Sequence, residues 1–115
     1  RAVYSHVRDR FTYIKRELIS KGQTGWEPVY AEAFLRDGRG NCFGYAATFC
    51  LLARELGYDA HTVVGWLGKN RQPHGWVEIV LNGKTYLYDA ELEMKYRSSN
   101  FFQARYGNTL YAYYK

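Results

Sequence analysis

The sequence predicts an α+β fold, with helices first and an antiparallel sheet after them, on three observations. Apolar residues recur at helical spacing through the first half, the pattern changes to short strand-like runs from Ala60 onward, and Asn82-Gly83 stands between two of those runs. Asn-Gly in that setting is the strongest short-range hairpin signal, because both central residues of a tight hairpin turn need positive φ.

The first helix is expected over Ser5 to Ser20, where Val7, Phe11, Ile14 and Leu18 fall on one stripe and Lys21-Gly22 supplies a stop. A loop with Gly22, Gly25 and Trp26 follows. Pro28 can open a second helix through Arg36, which Gly38 closes. Gly38-Arg39-Gly40-Asn41 reads as a turn, and Cys42 to Leu56 as a third helix ended by Gly57. Cys42, Ala46, Phe49, Cys50, Ala53 and Leu56 give that helix a small apolar stripe suited to the inside of a domain. Strands are expected over Ala60 to Leu67, His74 to Leu81 and Lys84 to Ala90. The tail carries Phe101, Phe102, Tyr106, Tyr111, Tyr113 and Tyr114, and ends in a last amphipathic strand laid against the sheet.

A chain of 115 residues with 47% apolar and 18% aromatic content is expected to fold as one domain. Its abrupt opening into a helical pattern also fits a piece cut from a longer protein. No apolar run approaches the roughly 20 residues of a membrane span, and Arg1 to Arg10 holds no signal-peptide core, so no membrane insertion is expected. The net charge of +5 would suit acidic partners, yet the basic residues are scattered, which describes a solvated surface. No basic helix, paired-cysteine site or aromatic RNA-binding signature is present, and nucleic acid is not an expected partner. The His and Cys residues lack metal-site spacing, and no glycine-rich phosphate loop or dinucleotide fingerprint occurs, so neither metal nor cofactor is expected.

Cys42 and Cys50 on one helix would have Cα atoms roughly 12 Å apart, beyond disulfide reach, and are read as free thiols. Their surroundings differ. Cys42 opens the helix, where unpaired backbone N–H groups and the dipole favour a thiolate. Gly40 just before it would let a substrate carbonyl approach the backbone, and the Cys42 N–H could then donate to a developing oxyanion. Cys50, two turns deeper, reads as core packing.

The hairpin adds a base. With Asn82-Gly83 as a two-residue turn, Leu81 pairs with Lys84, Trp76 faces Asp89 and His74 faces Glu91. His74 and Asp89 are then diagonal neighbours on one face, their Cβ atoms somewhat under about 7 to 8 Å apart, a gap that a hydrogen bond can close. Such a carboxylate fixes the tautomer of the imidazole, which can take the proton of a nearby thiol. The third helix must pack on that face to bring Cys42 in, and Glu91 is the alternative orienting group. His6 and His61 have no such company and read as structural or exposed.

At these residues the chain resembles the transglutaminase-like superfamily. The resemblance runs from about Ala31 to Glu91 and is carried by Gly38-Arg39-Gly40-Asn41-Cys42, Tyr45-Ala46, Leu52-Ala53-Arg54-Glu55-Leu56-Gly57-Tyr58, Val63-Val64-Gly65, His74-Gly75-Trp76-Val77-Glu78 and Tyr88-Asp89-Ala90. It implies a papain-like fold and acyl transfer from a peptide or protein amide through a Cys42 thioester, resolved by an amine or by water, with Cys42, His74 and Asp89 in the catalytic roles. The acidic residues do not cluster as the calcium site of the animal transglutaminases would need, and the chain looks more like small bacterial members, many of them peptidases or cell-wall enzymes. That likeness favours an extracytoplasmic or cell-surface location. It also implies an upstream oxyanion donor, for which Trp26 and Gln23 are the candidates, while Trp76 either walls the substrate channel or packs the core. A second reading keeps the fold without the chemistry, as a binding module for cell-wall or protein partners.

Overall fold

The computed structural model describes residues 2–115. In chain order it holds α1 (Ala2–Arg10), β1 (Thr12–Tyr13), α2 (Trp26–Asp37), β2 (Arg39–Gly40), α3 (Cys42–Glu55), β3 (Asp59–Leu67), β4 (Gln72–Leu81), β5 (Lys84–Tyr88), α4 (Ala90–Lys95) and β6 (Tyr113–Tyr114). An antiparallel sheet has the order β5-β4-β3-β6, and β1 and β2 form a separate parallel pair. Helices packed on an antiparallel sheet make this the α+β architecture that the sequence predicts.

Helix α3 is the axis of the packing. Every residue from Cys42 through Cys50 is buried, so the helix is covered on all sides over its first nine positions. Its Tyr45, Phe49 and Cys50 share a core with Tyr4, Val7, Phe34, Val77, Ile79 and Tyr88. Its Cys42, Phe43 and Ala47 join Ile19, Trp26 and Ala31 in a second cluster. The expected stripe fails only at its end, where Leu56 is 63% exposed as the chain turns at Gly57, whose φ is +90°.

The first helix is shorter than its periodicity suggests, ending at Arg10 rather than Ser20. Phe11 leaves the helix to stack on Phe34 at 4.3 Å, and the chain continues extended: Thr12 N donates to the Gly38 carbonyl at 3.2 Å and Ile14 N to the Gly40 carbonyl at 3.0 Å. Asn41 Nδ2 then holds the carbonyls of Arg16 and Glu17 at 3.4 and 3.3 Å. These backbone partners outside the segment outweigh the helical pattern, and of the apolar pair Leu18 and Ile19 only Ile19 is buried.

Helix α2 starts two residues before Pro28 and ends as expected, with Gly38 at φ +71° donating its N–H to the Phe34 carbonyl at 2.9 Å. The hairpin has the expected register, from Leu81 opposite Lys84 to Val77 opposite Tyr88, with Asn82 and Gly83 at φ +52° and +78°. Strand β5 stops at Tyr88, before the expected Ala90, because Asp89 caps α4: its Oδ1 accepts from Leu92 N at 3.1 Å.

Candidate active site

The site forms where the first turn of α3 meets β4. Asn41 caps the helix, its Oδ1 accepting from Phe43 N at 3.1 Å and Gly44 N at 3.3 Å. Cys42 is thus the first helical residue, and its own N–H has no acceptor within the helix. Its side chain is buried, 6% exposed, beside Trp26 and Ala31.

Gly75 lets the helix close on the strand, since a Cβ there would stand 2.6 Å from Cδ1 of Phe43. This corrects the expected packing. The body of α3 covers Val77 and Ile79, on the other face from His74 and Trp76, and only its first turn reaches the His74 end of β4. There Cys42 comes near enough to the imidazole to help raise its pKa.

His74 is 5% exposed and its Nε2 lies 2.6 Å from Asp89 Oδ2. A carboxylate can only accept, so Nε2 carries the proton of that bond and Nδ1 is the nitrogen turned from Asp89. Burial disfavours the imidazolium, but Asp89 first and Cys42 second outweigh it, and the His74 pKa is raised well above its ordinary value. Cys50 is a contrast: burial pushes its thiol up to about 11. Both cysteines are free.

The His74–Asp89 contact survives although the ladder ends one pair short of it, because Asp89 swings from the end of β5 into its capping position. Glu91 does not face His74 across the sheet. It lies in α4, 3% exposed, with Oε2 3.6 Å from Lys95 Nζ and without a hydrogen bond. Burial first, then the Asp89 charge, raises its pKa.

Sequence reasoning missed Tyr113, whose hydroxyl donates to the same Asp89 Oδ2 at 2.7 Å. Its signal was the aromatic alternation of the tail, which names a strand but not its partner; Leu67 opposite Tyr113 fixes the register only in three dimensions. Trp76 is fully buried, its Nε1 donating to Tyr106 Oη at 2.8 Å and its ring 4.8 Å from that of Tyr113. It packs with Leu87 and Ala104 in a layer that Tyr113 joins. Tyr106 donates in turn to Glu78.

Among the other candidates, Trp26 is 5% exposed within the Cys42 cluster. Gln23 is exposed, its Oε1 accepting from Ser20 N at 3.3 Å, and with Trp26 it borders a surface groove of about 290 Å³ reaching Thr62 and Val64. Gly40 has a packing reason of its own, since a Cβ would meet Phe34 at 2.7 Å. His61 pairs with Asp59 at 2.6 Å and His6 lies edge-on to Phe11. Among the described residues no group of His, Cys, Asp and Glu is arranged to hold a metal ion, and no helix is long and apolar enough to cross a membrane.

The chain belongs to the transglutaminase-like superfamily, whose family model matches residues 1–90. Two solved structures are similar in fold. One is from Cytophaga hutchinsonii, its cysteine protease activity inferred; it shares 21% identity at a TM-score of 0.58, over 77% of this chain and 29% of that one. The other is a TGase at 18% identity and a TM-score of 0.55, over 76% of this chain and 24% of that one. The chain therefore spans less than a third of either. No curated protein matches it.

Proposed function

We propose that the chain is a cysteine acyl-transfer enzyme acting on peptide or protein amides. The observation that carries this reading is the buried His74–Asp89 pair at 2.6 Å, with Cys42 at the first position of α3 near enough to help raise the His74 pKa.

In this mechanism His74 Nδ1 takes the thiol proton and Asp89 stabilises the resulting imidazolium. The Cys42 sulfur attacks the amide carbonyl carbon, forming a C–S bond and an oxyanion that the Cys42 N–H receives. Collapse breaks the C–N bond, and the imidazolium gives its proton to the departing amine. Water or a second amine then attacks the thioester, losing its proton to His74, and the C–S bond breaks to release the acid or the new amide. Trp26, packed beside Cys42, supports a role as the wall of the acyl site, and Gln23 and Gly40 support roles along the approach to it. A cell-wall peptide is one substrate of this class.

Iodoacetamide at neutral pH, read by peptide mass spectrometry, tests the nucleophile. Cys42 should be labelled well before Cys50, and His74→Ala should remove the difference. Equal, slow labelling of both thiols in the unaltered chain would overturn the proposal. A glutamine-rich protein with a fluorescent primary amine then separates transfer from hydrolysis.

A further inference from the structure

We infer that Tyr113 is a positioning residue of the site, its hydroxyl fixing the Asp89 carboxylate that orients His74. The inference rests on the proposed roles of His74 and Asp89, and it assigns a function to the tail, which lies outside the residues 1–90 matched by the family model.

Asp89 receives three donors. Leu92 N occupies Oδ1 at 3.1 Å, while Oδ2 meets both His74 Nε2 at 2.6 Å and Tyr113 Oη at 2.7 Å. The backbone bond alone would leave the carboxyl group free to rotate about its Cα side. The second donor on Oδ2 fixes the plane of the group, and with it the direction in which the imidazole is held. Tyr113 is itself fixed: its ring lies 4.8 Å from Trp76 and 6.2 Å from His74, and its backbone pairs with Leu67. Trp76 is anchored behind it by Tyr106. The titratable groups around the hydroxyl are Asp89 and Glu91 from α4 and its cap, Tyr4 from α1, His74 from β4 and Tyr106 from the tail. Burial first, and then the Asp89 charge, drives the phenol pKa far above its ordinary value, so the hydroxyl keeps its proton and remains a donor.

The test needs no substrate. The chain holds three histidines, and His6 and His61 lie away from this site, so long-range ¹H–¹⁵N NMR of the imidazoles carries its own controls. In Tyr113→Phe the carboxylate charge loses a donor and acts more strongly on the ring. The His74 midpoint should rise by about one pH unit, the size of a lost charge-assisted hydrogen bond, while His6 and His61 stay put. Tyr111→Phe removes a hydroxyl from the same tail, one that meets Tyr96 and not Asp89, and should leave His74 unchanged. An unmoved His74 midpoint in Tyr113→Phe would overturn the inference, as would equal shifts in both variants, which would mean that tail docking and not the Tyr113 hydroxyl is responsible. Iodoacetamide labelling of the unaltered chain keeps the two readings apart. Slow Cys42 labelling with a shifted His74 defeats the acyl-transfer proposal alone, and fast labelling with an unmoved His74 defeats this inference alone.

Discussion

Gly75 and Phe43 are in such close contact that a methyl group on the glycine would stand 2.6 Å from the ring. The contact joins the first turn of α3 to β4 one residue from His74, and Phe43 is fully buried and has no room to yield. Gly75→Ala should destabilise the fold by about 1–3 kcal/mol, the usual cost of overpacking, and slow Cys42 alkylation by displacing the helix start. Urea denaturation and iodoacetamide kinetics on the same protein check both.

Asp89 both caps α4 and holds His74, and two substitutions separate these tasks. Asn at this position keeps an oxygen for Leu92 N but presents no charge to the imidazole. Asp89→Asn should therefore keep the α4 cap, lose stability only at the two donors that met Oδ2, and lose about 10²- to 10⁴-fold in turnover. Asp89→Ala should lose the same activity and about 1 kcal/mol of stability besides. Differential scanning calorimetry set against a turnover assay distinguishes them.

Asn41 is bound at both ends of its amide, as cap of α3 and as donor to the carbonyls of Arg16 and Glu17. Asn41→Ala should cost about 1–2 kcal/mol or more, since the cap is lost and two carbonyls are freed. Asn41→Asp keeps the cap but sets a buried carboxylate oxygen against the two carbonyls, and it too should unfold at lower denaturant than the unaltered chain, with faster hydrogen exchange in residues 14–17.

Glu91 is a buried carboxyl whose folded pKa lies above the ordinary value. A raised carboxyl pKa means that the folded state holds the proton more tightly than the unfolded one. The stability this group contributes is complete below its unfolded pKa and is lost as pH rises through the folded value. His74, also raised, acts in the same sense at its own higher range. Glu91→Gln, which stays neutral, should raise the melting temperature at pH 7 to 8, and the gain should vanish near pH 4. A gain independent of pH would contradict this account.

Local signals made much of the fold legible. Helix α3 and the Asn82-Gly83 hairpin are specified within their own segments, and from the hairpin register alone His74 and Asp89 could be put on one face. What the sequence hid is what distant segments decide. The period of Val7, Phe11, Ile14 and Leu18 suits a helix, but the carbonyls of Gly38 and Gly40 and the amide of Asn41 claim the backbone after Arg10. The ladder geometry placed Glu91 opposite His74, because nothing in a strand pattern reports that Asp89 will leave the strand to begin a helix. Gly40 was legible as a residue that needs closeness, though the neighbour is the Phe34 ring. Tyr113 reaches Asp89 across 24 positions of chain, and no local rule spans that interval.

Because one carboxylate serves both the start of α4 and the imidazole, the scaffold guards that residue even where chemistry no longer does. A descendant that abandoned catalysis could let its sulfur or its imidazole drift, yet would keep the aspartate to hold its shape. An intact acid at this position is thus poor testimony that such a relative still turns over substrate, and the sulfur is the better witness.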